Sequence, residues 1–414
     1  TFGMPAVSGY RGVCLGRVIT ANSPASQAGS PTNWQAVLWH EFCHAVTLEA
    51  TSNRMPRWLS EGISVYEESQ ADPTWGQQMA PRYRQMILEG ELTPVGQLSG
   101  AFMSPPSALH LQFAYYESSL VVQFLIERFG MDSLLGILQD LRRGLAFNEA
   151  LERNTDGLEA VEEDFAEYAK NLAENYGSEV DWADHNLTAV LSDDDPQRLA
   201  RWVGEHPNHL ASLDAYAAQL QENGDIDSAR DVLRKRLALL PDDVGSASAA
   251  AQLAKLERRS GRTEAEREIL QYISERSDDL LDVELRLMDL AEAAGQDESL
   301  CLHARKALAI QPMLPAVLRK WAMANERLGR TEDAIQAWRA VLAASPDDLA
   351  ETHYRLACLL HERKESSARD HVLHALEEAP RFLAAHRLLL KINAMSEIDA
   401  VSKTSTAEGT QAAP

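Results

Sequence analysis

Glycines and prolines recur at nearly constant intervals through the second half of this chain. Glycines that separate stretches of helical pattern are 37, 34 and 34 residues apart, at Gly224, Gly261, Gly295 and Gly329. Prolines follow the second helix of each predicted pair, with one member missing near Asp278, at Pro207, Pro241, Pro312, Pro346 and Pro380. A period of this length predicts helix–turn–helix units that each bury an apolar face against their neighbours.

The repeat resembles the tetratricopeptide repeat, whose helix pairs stack into a right-handed superhelix. Large–small residue pairs occur where one unit would pack on the next, at Tyr216-Ala217, Leu253-Ala254, Trp321-Ala322 and Leu356-Ala357. The third unit departs from this pattern, because Met288 stands at the position of the small residue. The resemblance implies a concave face that binds a protein partner or presents substrate, and a purely structural stack is the alternative.

A different signal, His40-Glu41-Phe42-Cys43-His44, lies near the start of the chain. The residues around it are mostly apolar and lack Gly and Pro from Asn33 to Ala50, which predicts that the segment lies inside a helix. Residues four apart share a helix face, so both imidazoles can reach one metal ion, with Glu41 about 100° away around the helix. Buried ionisable groups are costly unless they are paired or bind metal, which favours a zinc site with Glu41 as its general base.

A catalytic zinc needs a third protein ligand and keeps one position for water. The segment Trp58-Leu59-Ser60-Glu61-Gly62 follows Pro56 and belongs to a second predicted helix. Glu61 is expected to face the first helix, and Gly62 is expected to let the two helix backbones approach closely. Glu68, two turns further along the same face, is the alternative ligand if the register differs.

The two motifs together resemble those of gluzincin metallopeptidases in the peptidase MA-like group, where a Trp-Leu-x-Glu-Gly helix follows the His-Glu-x-x-His helix. The resemblance implies that His40, His44 and Glu61 bind Zn²⁺ and that Glu41 is the catalytic base. It implies a hydrolase that acts on a peptide or protein substrate. It extends through the helices that end near Tyr176.

The same group has an Ala-Tyr-x-x-Ser string further downstream, which here selects Tyr115 as a donor to the developing oxyanion. Adjacent helix residues point about 100° apart, so Tyr115 and Tyr116 cannot both face the metal. Ordinary aromatic packing is the alternative for Tyr115, and His110 is a weaker candidate for its role.

These features predict an α+β, mostly helical chain. Residues 1–184 are expected to form a gluzincin-like zinc peptidase domain with a small N-terminal sheet, including a strand at about residues 14–21. Residues 185–394 are expected to form an all-α tetratricopeptide-repeat solenoid, and residues 395–414 a disordered tail rich in Ser, Thr and Ala. The sequence starts at Thr1, and we expect that its native start lies upstream, so the chain does not decide between a cytoplasmic and an exported protein.

Net charge and composition limit the classes of partner that the chain is expected to bind. A formal net charge of -23 over 414 residues disfavours nucleic acids and anionic membrane surfaces and permits basic peptides. No stretch approaches the roughly 18 to 20 apolar residues of a membrane-spanning helix. The scattered cysteines predict buried thiols rather than a disulfide framework, at Cys14, Cys43, Cys301 and Cys358.

The sequence as a whole predicts a zinc-dependent peptidase with a repeat domain that binds a partner or substrate. Two alternatives stay open: a repeat scaffold that carries an inactive zinc domain, and the same metal chemistry acting on a non-peptide amide. The presence of Glu41 favours an enzyme, because a purely structural zinc site has no use for a base.

Overall fold

The computed structural model describes residues 12–15, 18–21, 23, 32–183, 185–192, 195, 197–344 and 346–394. The predicted tail from residue 395 lies outside them. The chain packs into two compact units, one ending at Leu280 and the other beginning at Leu281. The division falls beside Asp278, where the proline series is interrupted. The domain boundary at residues 184 and 185 stays a prediction.

A two-stranded antiparallel sheet precedes the first helix. Strand β1 spans Gly12–Leu15 and strand β2 spans Val18–Ala21, with Leu15 paired to Val18. The small N-terminal sheet is therefore confirmed. The prediction of one continuous strand over residues 14–21 is wrong, because that stretch contributes to two short strands that pair with each other.

Helix α1, Trp34–Ala50, carries the His-Glu-x-x-His segment and packs against both strands. Asn33 caps it, because its side chain accepts hydrogen bonds from two backbone N–H groups of the first turn. Glu41 and Cys43 are buried, whereas Phe42 and Val46 are exposed. The helix is thus apolar on nearly every side but buried only on part of its circumference.

Seven further helices complete the region between α1 and the first repeats. They are α2 (Arg57–Ala71), α3 (Pro81–Leu88), α4 (Ser99–Met103), α5 (Ala108–Phe129), α6 (Met131–Arg143), α7 (Phe147–Asn154) and α8 (Leu158–Asn175). A short 3-10 helix, Val95–Gln97, precedes α4. Helices α2 and α5 form the centre of one hydrophobic core, in which Trp58, Leu59 and Val121 are almost fully buried.

Gly62 explains how α2 and α5 pack so closely. A Cβ atom at this position would lie 2.5 Å from the backbone carbonyl oxygen of Ser118 on α5. The predicted close approach at Gly62 is therefore real, but its partner is α5 and not α1. Adjacent helix residues point about 100° apart, so Gly62 cannot face the same neighbour as Glu61.

The first compact unit continues into helical repeats. Its later helices are α9 (Leu187–Leu191), α10 (Arg198–Glu205), α11 (Leu210–Glu222), α12 (Ile226–Leu239), α13 (Ala249–Arg259) and α14 (Thr263–Ser274). Helices α11 to α14 each pack on the next. The loop glycines Gly224 and Gly261 have φ values of 79° and 70°, a conformation that favours glycine after a helix.

The described residues of the second unit form three packed helix pairs and a final helix. They are α15 (Leu281–Ala293), α16 (Asp297–Ile310), α17 (Pro315–Arg327), α18 (Thr331–Ala343), α19 (Leu349–Glu362), α20 (Ala368–Glu378) and α21 (residues 383–394). Met288 is buried in one core cluster with Ala304 and Ala307, so small residues on α16 leave room for a large one on α15. The α+β, mostly helical fold class is confirmed.

Two further expectations concern the cysteines and the bilayer. Within the described residues no two cysteines form a disulfide, and Cys43 and Cys301 are buried, whereas Cys14 and Cys358 are half-buried. None of the helices in these residues combines the length and the apolar character that crossing a membrane requires.

Candidate metal centre

Helices α1 and α2 bring His40, His44 and Glu61 together. The two imidazole rings lie one helical turn apart, with centroids separated by 4.6 Å and planes at 87°. Oε2 of Glu61 lies 3.2 Å from Nε2 of His40 and 3.2 Å from Nε2 of His44. Ligand atoms in a tetrahedral zinc shell with bonds of about 2.0 to 2.1 Å are about 3.3 Å apart. The three side chains therefore fit a single zinc-sized cation.

The outer nitrogen of each imidazole also has a hydrogen-bond partner. Nδ1 of His40 lies 2.6 Å from Oε1 of Glu68, and Nδ1 of His44 lies 2.7 Å from Oγ of Ser60. Ser64 is a second neighbour of the His44 nitrogen, at 3.2 Å. An acceptor at Nδ1 favours the tautomer that carries its proton there, and in that tautomer the Nε2 lone pair is directed at a metal.

Glu68 therefore has a position different from the one considered from sequence. It contacts the nitrogen of His40 that faces away from Glu61, a position suited to orienting the imidazole ring. The sequence placed both glutamates on one face of α2 but did not show which side of the imidazole each would reach. Ser60 was not singled out, although it immediately precedes Glu61.

The charge distribution favours a cation at the centre. Burial lowers the pKa of His40, but hydrogen bonds and charges from Glu61 and Glu68 outweigh it and raise the pKa to about 10. Burial raises the pKa of Glu61, but hydrogen bonds from His40 and His44 bring it well below its ordinary value. Surroundings that hold a proton so firmly on an imidazole also favour a divalent cation in its place.

Arg57 fixes the second oxygen of Glu61. Its Nε lies 3.2 Å from Oε1, while Oε2 faces the two histidines. The carboxylate is thus held from both ends, which limits its rotation. An arginine at this position also keeps part of the negative charge of the site balanced on the side away from the histidines.

Glu41 lies beside the centre and points toward strand β1. It is buried, and a Cβ atom at Gly12 would lie only 2.5 Å from its Oε1. The backbone N–H of Cys14 donates to the carboxylate, and Oε2 has no hydrogen-bond partner among the described residues. Burial raises the pKa of Glu41, partly offset by the charges of His40 and His44. A carboxylate of this kind can accept a proton and return it.

Tyr115 and Tyr116 point to different sides of α5, as their spacing predicts. Tyr115 is half-buried, and its ring meets Phe102 edge-on with centroids 5.1 Å apart. The guanidinium of Arg57 lies 5.3 Å from the centre of the same Phe102 ring, so a chain of contacts links Tyr115 to the metal centre. Tyr116 is buried and stacks on Tyr83. The catalytic role of Tyr115 stays a prediction.

His110 and Cys43 lie apart from the three converging side chains. His110 hydrogen-bonds Ser107 and pairs with Glu91 at the start of α5, which accounts for it without catalysis. Cys43 is buried on α1, and burial raises the pKa of its thiol to about 12. A thiol held in this form is a poor metal ligand.

Comparison with known proteins finds a similarity to one family over residues 28–170. These residues match the family model described as the Peptidase MA superfamily. The matched stretch contains every side chain of the candidate centre together with Tyr115. None of the curated proteins matches the chain.

Several solved structures of repeat proteins are similar to parts of the chain. YrrB, described as a TPR protein with an unusual peptide-binding site, is 12% identical, with 46% of this chain and 97% of that chain covered and a TM-score of 0.33. MamA from Desulfovibrio magneticus RS-1 is 12% identical, with 41% and 95% covered and a TM-score of 0.28. TTC0263, a TPR protein of Thermus thermophilus, is 19% identical, with 44% and 97% covered and a TM-score of 0.23. The chain combines a region similar to the Peptidase MA superfamily with a helical repeat region.

Proposed function

We propose that this chain is a zinc-dependent peptidase whose repeat region binds a substrate or a protein partner. The observation that carries the proposal is the position of one Glu61 oxygen, 3.2 Å from the inner nitrogens of both His40 and His44. The buried Glu41 carboxylate beside them supports catalysis over a merely structural site. The similarity of residues 28–170 to the Peptidase MA superfamily is an independent support.

His40, His44 and Glu61 would hold the ion. When bound, zinc supplies a Lewis acid that polarises a carbonyl group and lowers the pKa of water. Glu68 and Ser60 would keep the two imidazoles in the tautomer and orientation that ligation needs, because the Glu68 carboxylate accepts the Nδ1 proton of His40 and the Ser60 hydroxyl lies within hydrogen-bond distance of Nδ1 of His44.

Glu41 would act as the base and then as the acid. It accepts a proton from the attacking water and returns it to the leaving amine, for which a carboxylate with a raised pKa is well suited. Strand β1 packs against it at Gly12 and donates a hydrogen bond from Cys14, which fixes its position. Tyr115 would donate its hydroxyl proton in a hydrogen bond to the developing oxyanion.

The repeat region offers a groove for the partner. A cavity of about 310 Å³ on α11 and α13 is lined by amide and cationic side chains, namely Gln221, Gln252, Lys255, Arg258 and Arg259. We place a carboxylate-bearing peptide segment here, because guanidinium and ammonium groups bind carboxylates well. Its three cationic side chains contrast with the net charge of -23 of the whole chain.

The test is turnover of a peptide library by the purified chain, with a chelator and with zinc restored. The expected result is cleavage that disappears with chelation and returns with zinc. Glu41→Gln should still bind zinc but lose about 10² to 10⁴ in rate, because an amide cannot take the proton. Glu49→Gln, an exposed residue on the same helix, is the matched control and should cleave like the wild type.

Three other outcomes would change the assignment. Full turnover by Glu41→Gln would remove this residue as the base. If the chain binds zinc and cleaves no peptide but hydrolyses small non-peptide amides, it is an amide hydrolase of a different kind. Zinc binding with neither activity would leave the repeat scaffold as the function.

A further inference from the structure

A second group of metal-binding side chains lies at the entry to the repeats, outside the candidate metal centre. Asp181, His185 and His206 each offer a ligand atom, and these atoms lie within 4.8 Å of one another. Nε2 of His185 is 3.0 and 2.9 Å from the two carboxylate oxygens of Asp181. Nδ1 of His206 is 3.4 Å from Oδ2 of Asp181. The two imidazole centroids are 4.1 Å apart.

The backbone around the cluster is held by contacts that do not involve the three side chains. The N–H of Asp181 donates to the carbonyl of Asn208 at 3.1 Å, and the side-chain amide of Asn208 donates to the carbonyl of Glu179 at 2.9 Å. The segment after α8 is thereby joined to the segment after α10. The backbone at Asp181 and that two residues after His206 are therefore held together before any ion binds, which reduces the ordering that binding would require.

Aromatic residues fix the two sides of the cluster further. Trp182 donates to the carbonyl of Gly177 at 3.1 Å, and the guanidinium of Arg84 lies 4.4 Å from the centre of its ring. On the other side, Trp202 of α10 packs against the ring of His206 at 4.3 Å. The imidazole of His206 therefore lies between the Trp202 ring and the carboxylate of Asp181.

His209 lies near the same cluster, but its side chain caps a helix. Its Nδ1 accepts a hydrogen bond from the backbone N–H of Ser212 at 3.3 Å and so caps α11. Its ring centroid is 6.1 Å from that of His185, further than the His206 ring. We therefore leave His209 out of the ligand set.

We propose that Asp181, His185 and His206 form a second metal site, for a divalent transition-metal ion of the Zn²⁺ type. Two imidazoles and one carboxylate are ligands that Zn²⁺ prefers. The two histidine nitrogens lie 2.9 and 3.4 Å from Oδ2 of Asp181, close to the roughly 3.3 Å expected between ligands in a tetrahedral shell, and all three ligand atoms lie within 4.8 Å of one another. The three side chains are about 27% to 33% exposed, which leaves a path for the ion and room for a water ligand.

The site would fasten the first repeat to the helices before it. An ion on these ligands closes a loop from residue 181 to residue 206, which spans α9 and α10. A metal that binds the folded chain and not the unfolded chain adds its binding free energy to stability. The role is structural, and it does not depend on the proposed peptidase activity.

The experiment counts bound zinc by equilibrium dialysis of the full chain followed by metal analysis. The wild type should hold two equivalents. Asp181→Asn and the double variant His185→Ala with His206→Ala should each hold one, whereas Glu61→Gln should keep the equivalent at the second site. His110→Ala removes a histidine that also pairs with a carboxylate, 3.3 Å from Glu91, and should still hold two.

A thermal measurement separates the site from a simple Asp–His hydrogen-bond cluster. Zinc should raise the unfolding temperature of Glu61→Gln but not that of Asp181→Asn in the Glu61→Gln background. Asp181→Asn keeps the shape of the side chain, so it remains informative if the double histidine variant does not fold.

The proposal is overturned if the wild type holds a single equivalent that Glu61→Gln removes. It is equally overturned if Asp181→Asn and the double variant both retain two equivalents. Either result leaves the peptidase proposal intact, and failure of the peptidase test leaves this site intact.

Discussion

The peptidase-like region and the repeats both bury acidic side chains, but they pair them differently. In the first repeats, Glu257 is fully buried and receives a hydrogen bond from Nε of Arg230 at 2.6 Å. In the second unit, the buried Glu284 lies 2.8 Å from Nδ1 of His303. Around α1 and α5, Glu41 and Glu117 are also buried, but within the described residues neither forms an ion pair, and each has one oxygen without a hydrogen-bond partner, as Glu257 does too.

This difference separates structural charges from functional ones. A buried acid opposite a cationic side chain is neutralised within the protein, so it serves packing and register. A buried acid without such a partner has a raised pKa and is costly, unless the site it belongs to binds a cation or moves a proton. Glu41 fits that description beside the metal centre, and Glu117 does so without a metal-binding set around it.

The largest effect is expected in the repeats. Arg230→Ala leaves Glu257 buried without its closest partner, which should destabilise α12 and α13 by about 3 to 5 kcal/mol. The double variant Arg230→Met with Glu257→Leu should recover most of this loss, because both charges are gone and the volume is kept. Hydrogen exchange of the backbone amides in α12 and α13 measures the local loss of stability in each variant.

Two results would contradict that pairing argument. One is an Arg230→Ala chain with unchanged exchange protection, which would mean that Arg262, 3.9 Å from Glu257, replaces the lost partner. The other is a double variant as unstable as the single one. Arg234→Ala is the matched control, since this arginine is exposed on the same helix.

A smaller effect is expected at the metal centre, where the orienting carboxylate is removed. Glu68→Ala should lower zinc affinity about 10- to 100-fold, because His40 loses the partner that holds its ring and tautomer. Glu68→Gln keeps an acceptor oxygen and should lose less. Competition with a chelator measures the zinc affinity of both variants. The measurement is made in the Asp181→Asn background, so that only zinc at this centre contributes.

The neighbouring Glu67→Ala is the control for Glu68→Ala, because its backbone carbonyl and not its side chain contacts Trp39. Equal zinc affinity in Glu68→Ala and Glu67→Ala would show that orientation of His40 does not limit binding. A total loss of zinc in Glu68→Ala would instead make Glu68 a ligand, the alternative raised by the sequence.

Motif spacing predicted the parts of the centre that one helix determines. His40 and His44 share a face because they are four residues apart, and no tertiary information is needed for that. The convergence of Glu61 on them depends on how α2 packs: the sequence offered Glu61 as the residue that faces α1, and the resemblance to a family supported that choice. The contact of Gly12 with Glu41 could not be predicted, because it depends on where strand β1 lies against α1.

Side-chain partners that are far apart in the sequence could not be predicted for the same reason. Arg230 and Glu257 are 27 residues apart on different helices. His185 and His206 are separated by α9 and α10, with no periodic signal that joins them. Met288 looked like a weak point in the repeat pattern, but small residues on the facing helix compensate for its size. Pairing of this kind depends on three-dimensional packing, which cannot be read from a single sequence.

An effect that depends on pH is expected at Glu117, and it is small over any one pH unit. Burial raises its pKa to about 8, although hydrogen bonds from Thr93 act in the opposite direction. Between the unfolded value of 4.5 and about 8, the folded chain binds one more proton than the unfolded chain, so stability falls as pH rises. The slope is about 1.4 kcal/mol per pH unit, and it vanishes once the pH exceeds the folded pKa.

Glu117→Gln removes this titration and should raise the unfolding temperature relative to the wild type, little at pH 5, increasingly up to about pH 8, and by a constant amount above it. Thermal unfolding of both chains across that range measures the difference. Glu162→Gln is the control, because Glu162 also accepts a backbone N–H, from Gly96 at 2.9 Å, but is only half-buried. A pH-independent difference between Glu117→Gln and the wild type would mean that Glu117 stays neutral or stays charged throughout, and that a buried acid without a cationic partner does not by itself mark a proton-linked site in this chain.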